Sequence, residues 1–112
     1  MIKKHGGSSG IRNTNMLESA IHRPFATFGG VDLYSNIYLK TGALIQSIVK
    51  NHLFLDGNKR TAYASAYTFL KLNNIKINPT EKDVVEFTAD VADKSLSVDE
   101  IADWLKNHSQ KI

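Results

Sequence analysis

No cysteine occurs anywhere in the 112 residues. Disulfides and thiolate metal sites are thereby excluded, and a reducing compartment is permitted. Histidine is sparse, and His5, His22 and His108 show no ligand spacing, so a histidine-cluster metal site has no support. The glycines do not form the Walker phosphate loop, because no G-x-x-x-x-G-K-[ST] is present. No apolar run approaches the ~20 residues that a bilayer span needs. The opening MIKKHGGSSG has two lysines but no apolar stretch behind them, so it does not read as a signal peptide. With neither feature, the cytoplasm is the expected compartment. Internal repeats and a convincing strand pair are also missing.

What remains is a chain of the size of one compact domain, 42% hydrophobic and 22% charged, which can support a core. Its net charge of +3 is unevenly spread. Residues 1–80 hold ten Lys and Arg against Glu18, Asp32 and Asp56, whereas residues 81–112 hold four Lys against eight acids. The plain reading is a mildly basic globule with solvated faces; the sharper one is that the first part meets an anion such as a nucleotide phosphate.

Helical spacing dominates the chain. HGGSSG is either a flexible appended linker or a native turn, and Asn13 or Thr14 can cap a helix with Leu17, Ala20 and Ile21 on one side. PFATFGG reads as an extended or turning connection. From Tyr34 to about Lys50 the apolar residues recur at helical spacing, and after Asn58 a second series runs through Ala62, Ala66, Phe69, Leu70 and Leu72. Thr80 with Asp83 offers an N-cap ahead of Val84, Phe87, Thr88 and Val91. Ser97 with Glu100 forms a capping box for a last helix that buries Val98, Ile101, Ala102 and Leu105, with Trp104 at its edge. The fold class expected is all-α: a helical bundle with one irregular segment, Asn51 to Gly57, before its middle.

That segment and the residues after it, HLFLDGNKRTA, concentrate the polar chemistry. Gly57 and Asn58 stand directly before a helix whose first N–H groups lack partners and carry partial positive charge, an end suited to phosphate. Lys59 and Arg60 in the first turn oppose the helix dipole, which is understandable if an anion lies above them. Asp56 suits Mg²⁺, which is held by one or two carboxylates plus phosphate oxygens. His52 can take up a proton near neutral pH and so activate an attacking hydroxyl. Phe54 between them reads as an apolar anchor for the loop. Taken singly, each residue has a bland reading: a cap, an Asp-Gly turn, a solvated pair. Together, at this spacing, they point to phosphoryl or nucleotidyl transfer.

HLFLDGNKRTA resembles the H-x-F-x-[D/E]-G-N-[G/K]-R motif of the Fic/Doc superfamily, and Lys59 in the variable place resembles its death-on-curing (Doc) toxin branch. HGGSSGIRNTNMLESAIHRPFATFGGVDLY is similar to that branch's first half, and FLKLNN and ADWLKNH to its later helices, so the likeness spans nearly the whole chain. It favours HGGSSG as native sequence. The resemblance implies a single Fic-like domain over residues 1–112, with a flap near Pro24 to Val31, in which Thr27, Phe28, Gly29 and Gly30 dock the target. It implies that His52 activates the acceptor hydroxyl, Asp56 contacts Mg²⁺, Gly57 and Asn58 line the anion hole, and Lys59 and Arg60 hold phosphates. Members of this kind have a helix upstream of the Gly-Gly turn. A chain starting at that turn would lack it, leaving apolar surface open to pairing or swapping between copies.

Two departures discriminate within the superfamily. Leu53 replaces the proline common after the histidine, a packing change. Tyr63 stands where adenylylating members carry a second arginine. This leans toward the Doc chemistry, transfer of the γ-phosphate of ATP to a hydroxyl of a translation factor such as elongation factor Tu, arresting translation. Adenylyl or other nucleotidyl transfer is the alternative, since it needs the same base, metal and anion hole. A helical nucleic-acid binder using Lys50, Lys59 and Arg60 is a weaker one, because no stacking aromatics interleave with the basic residues. A catalytically dead member is weaker still, as nothing in residues 52–60 looks inactivated. TNMLES is the nearest approach to the inhibitory [S/T]-x-x-x-E-[G/N] helix of self-inhibited members, but Ser19 follows Glu18. Inhibition is therefore expected in trans, from an antitoxin segment that folds on binding.

Overall fold

A computed structural model of the chain describes residues 14–50 and 58–111. In chain order the elements are α1 (Thr14–His22), a 3-10 turn (Arg23–Phe25), strands β1 (Thr27–Phe28) and β2 (Val31–Asp32), and α2 (Ile37–Lys50). There follow α3 (Asn58–Leu72), β3 (Ile75–Ile77), α4 (Glu81–Asp93), α5 (Val98–Asn107) and β4 (Ser109–Lys111). The helices pack as the bundle that the periodicity predicts. No helix among the described residues is long and apolar enough to cross a membrane.

Helix α2 is the centre of the bundle. An unbroken run from Thr41 to Ile45, then Ser47, Ile48 and Val49, is buried, so the helix is covered on nearly every side. Against it α3 presents Ala62, Ala66 and Leu70, each fully buried. Alanine at i and i+4 lets two helices approach toward the short end of the usual spacing of about 8–10 Å. Ile45, Ile48, Phe87, Val91, Ile101 and Leu105 complete one continuous core across α2, α4 and α5. Helix α5 comes closest at Gly42, where an added Cβ would stand 2.9 Å from the Val98 carbonyl oxygen.

The caps form where the sequence places them. The Thr80 hydroxyl accepts from the Asp83 amide at 3.1 Å. Ser97 and Glu100 make the reciprocal capping box, at 3.1 and 2.8 Å. Trp104 stacks on Phe87 at 3.9 Å between centroids and on the His108 ring at 4.1 Å, filling the edge of the α4–α5 contact. The proposed cap at Asn13 lies outside the described residues. Ala20 of α1 is buried, while Ile21 is half exposed.

Several expectations are corrected. Helix α2 begins at Ile37 and not at Tyr34, because the Asn36 side chain accepts from the Leu39 amide at 2.9 Å and caps the helix there. Leu72, apolar and in phase, is 78% exposed at the helix end, and Phe69 is half-buried. Val98 is likewise half-buried at the start of α5. A strand pair does exist: β3 and β4 run antiparallel with Ile75 opposite Lys111 and Ile77 opposite Ser109, burying Ile75 and Ile77 while Lys76 faces out. Asn74, at φ 65°, makes the left-handed turn from α3 into β3.

The close approach at Gly42 yields a stability prediction. Gly42→Val must displace α5, and overpacking of this kind costs about 1–3 kcal/mol. Urea unfolding followed by the fluorescence of Trp104, the one tryptophan, should show a lower midpoint with an unchanged slope.

Candidate active site

Helix α3 opens with Asn58, Lys59 and Arg60, and no acid lies in its first turn. Both cationic side chains are exposed. Tyr63 follows one turn later on the same face. These three residues form one wall of a cleft of about 700 Å³. Helix α4 supplies the facing wall with Glu81, Val84, Val85, Thr88, Ala89 and Ala92, and Val49 of α2 lines it as well. Among the described residues neither Lys59 nor Arg60 makes an ion pair, although Glu81 lines the same cleft. Thr88 is not available as a donor there, since its hydroxyl donates back to the Val84 and Val85 carbonyls at 2.9 and 3.3 Å. Burial, with a smaller contribution from Tyr67, pushes the Tyr63 hydroxyl above its ordinary value. Tyr63 is therefore a neutral group wherever the chain is folded near neutral pH, and it does not replace the charge of an arginine.

The flap residues form a β-hairpin. Thr27 pairs with Asp32 and Phe28 with Val31, and the turn between them is Gly29–Gly30, with φ of 61° and 82°. Positive φ at both central positions is the hairpin turn whose twist matches the strands, and glycine adopts it without strain. Pro24, at the start of the expected extended segment, belongs instead to the 3-10 turn and is buried. The hairpin is solvent-facing: Phe28 is 82% and Val31 69% exposed. It does not line the Lys59–Arg60 cleft. The two are joined through α2, which reaches the hairpin's base at Lys40 and Ser47 and the cleft at Val49.

Of the residues singled out by sequence, the structure brings Lys59, Arg60 and Tyr63 together and gathers Thr27, Phe28, Gly29 and Gly30 into the hairpin. His52, Phe54, Asp56 and Gly57 lie outside the described residues, between the end of α2 at Lys50 and the start of α3 at Asn58. Sequence reasoning missed the α4 wall, which carries no local motif. It also missed the polar anchors of the hairpin, Arg23 and Lys40, which belong to no local motif.

Comparison with known proteins shows the family. The sequence matches the Fic/DOC family over residues 1–70, and the chain belongs to that family. It is 46% identical to "Toxin Doc" of Mycolicibacterium smegmatis over 72 residues, which cover 64% of this chain and 55% of that protein. The chain thus matches little more than half of that relative's length. It is 27% identical to "Protein kinase doc" of Escherichia phage P1 over 105 residues, covering 94% of this chain and 82% of the phage protein.

The half-buried phenol gives a pH prediction with a definite sign. Below about pH 10 Tyr63 is neutral in both folded and unfolded chains and contributes no pH dependence. Above it the unfolded chain loses the proton first, so stability falls as pH rises toward the higher folded value. Tyr63→Phe should flatten part of that alkaline decline in denaturation midpoints measured between about pH 9 and 11, and leave the midpoint's pH dependence unchanged near pH 7.

Proposed function

We propose that this chain is a Doc-like toxin that transfers the γ-phosphate of ATP to a hydroxyl of a translation factor of the elongation factor Tu type, arresting translation. The observation that carries the reading is the cationic pair Lys59–Arg60, held at the dipole-positive start of α3 and lining a cleft, where it forms the last two residues of the H-x-F-x-D-G-N-K-R sequence. The name of the phage relative, a protein kinase, supports the same chemistry. Neutral Tyr63 in place of a second arginine favours γ-phosphate transfer over adenylyl transfer.

In this reading His52 removes the proton from the acceptor hydroxyl. That oxygen attacks Pγ as the bond from Pγ to the bridging β,γ oxygen breaks, and ADP leaves with the electron pair. Lys59, Arg60 and the first N–H groups of α3 neutralise charge on the phosphate oxygens, and Gly57 with Asn58 lines the anion hole. Asp56 is one carboxylate, a donor set that suits a magnesium ion arriving already coordinated by nucleotide phosphates. Bound there, Mg²⁺ would spread the charge of the transferring group. The Thr27–Gly30 hairpin presents the target segment, and an antitoxin supplies inhibition in trans. A translation factor as target places the reaction in the cytoplasm.

Two measurements test this. Purified chain incubated with Mg²⁺, elongation factor Tu and ATP labelled at either the α or the γ phosphate should transfer label from γ alone. His52→Ala should reduce transfer by at least about a hundredfold, the usual loss of a general base. Label arriving from the α position would replace the kinase reading with adenylyl transfer. Separately, Glu18→Gly should leave the rate of the isolated chain unchanged; a rise would show that the exposed Glu18 restrains the site in cis and that trans inhibition is the wrong account.

A further inference from the structure

The hairpin Thr27–Asp32 has little reason to hold its position. Two paired residues on each strand are far below what an isolated hairpin needs for stability. Its apolar side chains fasten it little: Phe28, Val31 and Leu33 are each more than half exposed, and Phe25 at its neck, also more than half exposed, makes an edge contact with Phe69 of α3 at 5.9 Å between ring centroids. Within the hairpin, the Leu33 amide donates to the Ala26 carbonyl at 2.8 Å and closes its base.

What ties it to the bundle is a set of polar fasteners from one stripe of α2. The Lys40 ammonium donates to the Tyr34 carbonyl at 2.8 Å, the Asp32 carboxylate at 3.2 Å and the Pro24 carbonyl at 3.3 Å. An ammonium has three protons, and here all three find acceptors on both sides of the hairpin's neck. Lys40 is only 15% exposed in its side chain, and its charge sits over the Phe25 ring at 5.8 Å. One turn further along α2, the Arg23 guanidinium donates to the Ser47 hydroxyl at 2.8 Å, to the Ala43 carbonyl at 3.4 Å and to the Tyr34 hydroxyl at 3.1 Å. Lys40, Ala43 and Ser47 fall at i, i+3 and i+7, a single face of the helix. The same helix ends at Lys50, two residues before His52. From Lys40 to Lys50 the helix rises about 15 Å.

We infer that Lys40 is a positioning residue, a clasp that closes the hairpin's neck onto α2 and so holds a docked target segment in fixed relation to that helix. This rests on the proposed docking role of the hairpin. Lys40 touches neither nucleotide nor acceptor in this assignment. Its two backbone-carbonyl partners matter more than Asp32, whose carboxylate is 56% exposed and whose pairing water weakens.

The test has two arms on the full chain. In hydrogen exchange, Lys40→Met should speed the Leu33 amide by about tenfold or more, the scale of losing hydrogen bonds from a charged donor, with core amides of α2 and α3 unchanged. Asp32→Asn should change that amide by less than about threefold. In phosphate transfer, Lys40→Met should raise KM for the protein target while KM for ATP stays the same. Because the chain has no cysteine, Lys40→Cys alkylated with 2-bromoethylamine rebuilds the amine at this position alone and should reverse both effects. Unchanged exchange in Lys40→Met overturns the clasp whatever the activity. A loosened hairpin with an unchanged KM for the target overturns the positioning role. Absence of transfer by the unsubstituted chain would count against the kinase reading, and exchange would then decide the clasp by itself.

Discussion

Helix α2 cannot rotate or slide without breaking something on every side, and the rest of the structure takes its position from that. Its buried face is apolar except for Thr41 and Ser47, and both are satisfied: Thr41 donates to the Ile37 carbonyl at 2.7 Å, and Ser47 receives the Arg23 guanidinium. Opposite that guanidinium the helix has no side chain at Gly42, so α5 lies against the backbone itself. A turn of one residue would rotate it by about 100° and drive a side chain into α5 while removing Lys40 from its carbonyl partners. The helix is therefore registered by a steric stop on one side and by directional hydrogen bonds on the other. Apolar packing alone would supply the affinity between these elements but not the register, since it is non-directional.

Much of this was legible because it is local. N-caps depend on residues three apart, and Thr80–Asp83 and Ser97–Glu100 form as the spacing says. The Gly29–Gly30 turn depends on two adjacent residues, and both take the positive φ expected of glycine there. The family resemblance was legible for the same reason, since its motif is contiguous. Features that failed to show depend on distant partners. The β3–β4 pair joins three-residue strands more than thirty positions apart, and SQK has no alternation to announce a strand. The α4 wall of the cleft is an ordinary amphipathic helix until α3 is placed beside it. Tyr34 carried the right spacing for α2, but the Asn36 side chain offered the backbone a competing start, leaving Tyr34 to stack on Arg23 at 5.6 Å.

The uneven charge of the chain acquires a physical sense once the helices are drawn. Four of the eight acids after residue 80 sit in first turns: Glu81 and Asp83 in α4, Asp99 and Glu100 in α5. There they meet unpaired N–H groups and the positive end of the dipole, a favourable placement. Helices α1 and α2 have no acid in their first turns. Only α3 places two adjacent cations there.

Within one chain, then, the same electrostatic rule is followed at α4 and α5 and opposed at α3. Each such cation costs about 0.3–1 kcal/mol at an exposed helix start. The stability of the bare fold does not explain that cost, since Lys59 and Arg60 are exposed and form no ion pair among the described residues. A multiply charged anion would reverse the sign of the effect, because the helix end and both side chains would then attract the same ligand. The three positive contributions that repel one another in the free chain become additive toward phosphate. That reversal links the least favourable electrostatics of the fold to the chemistry proposed for it, and it holds independently of the family resemblance.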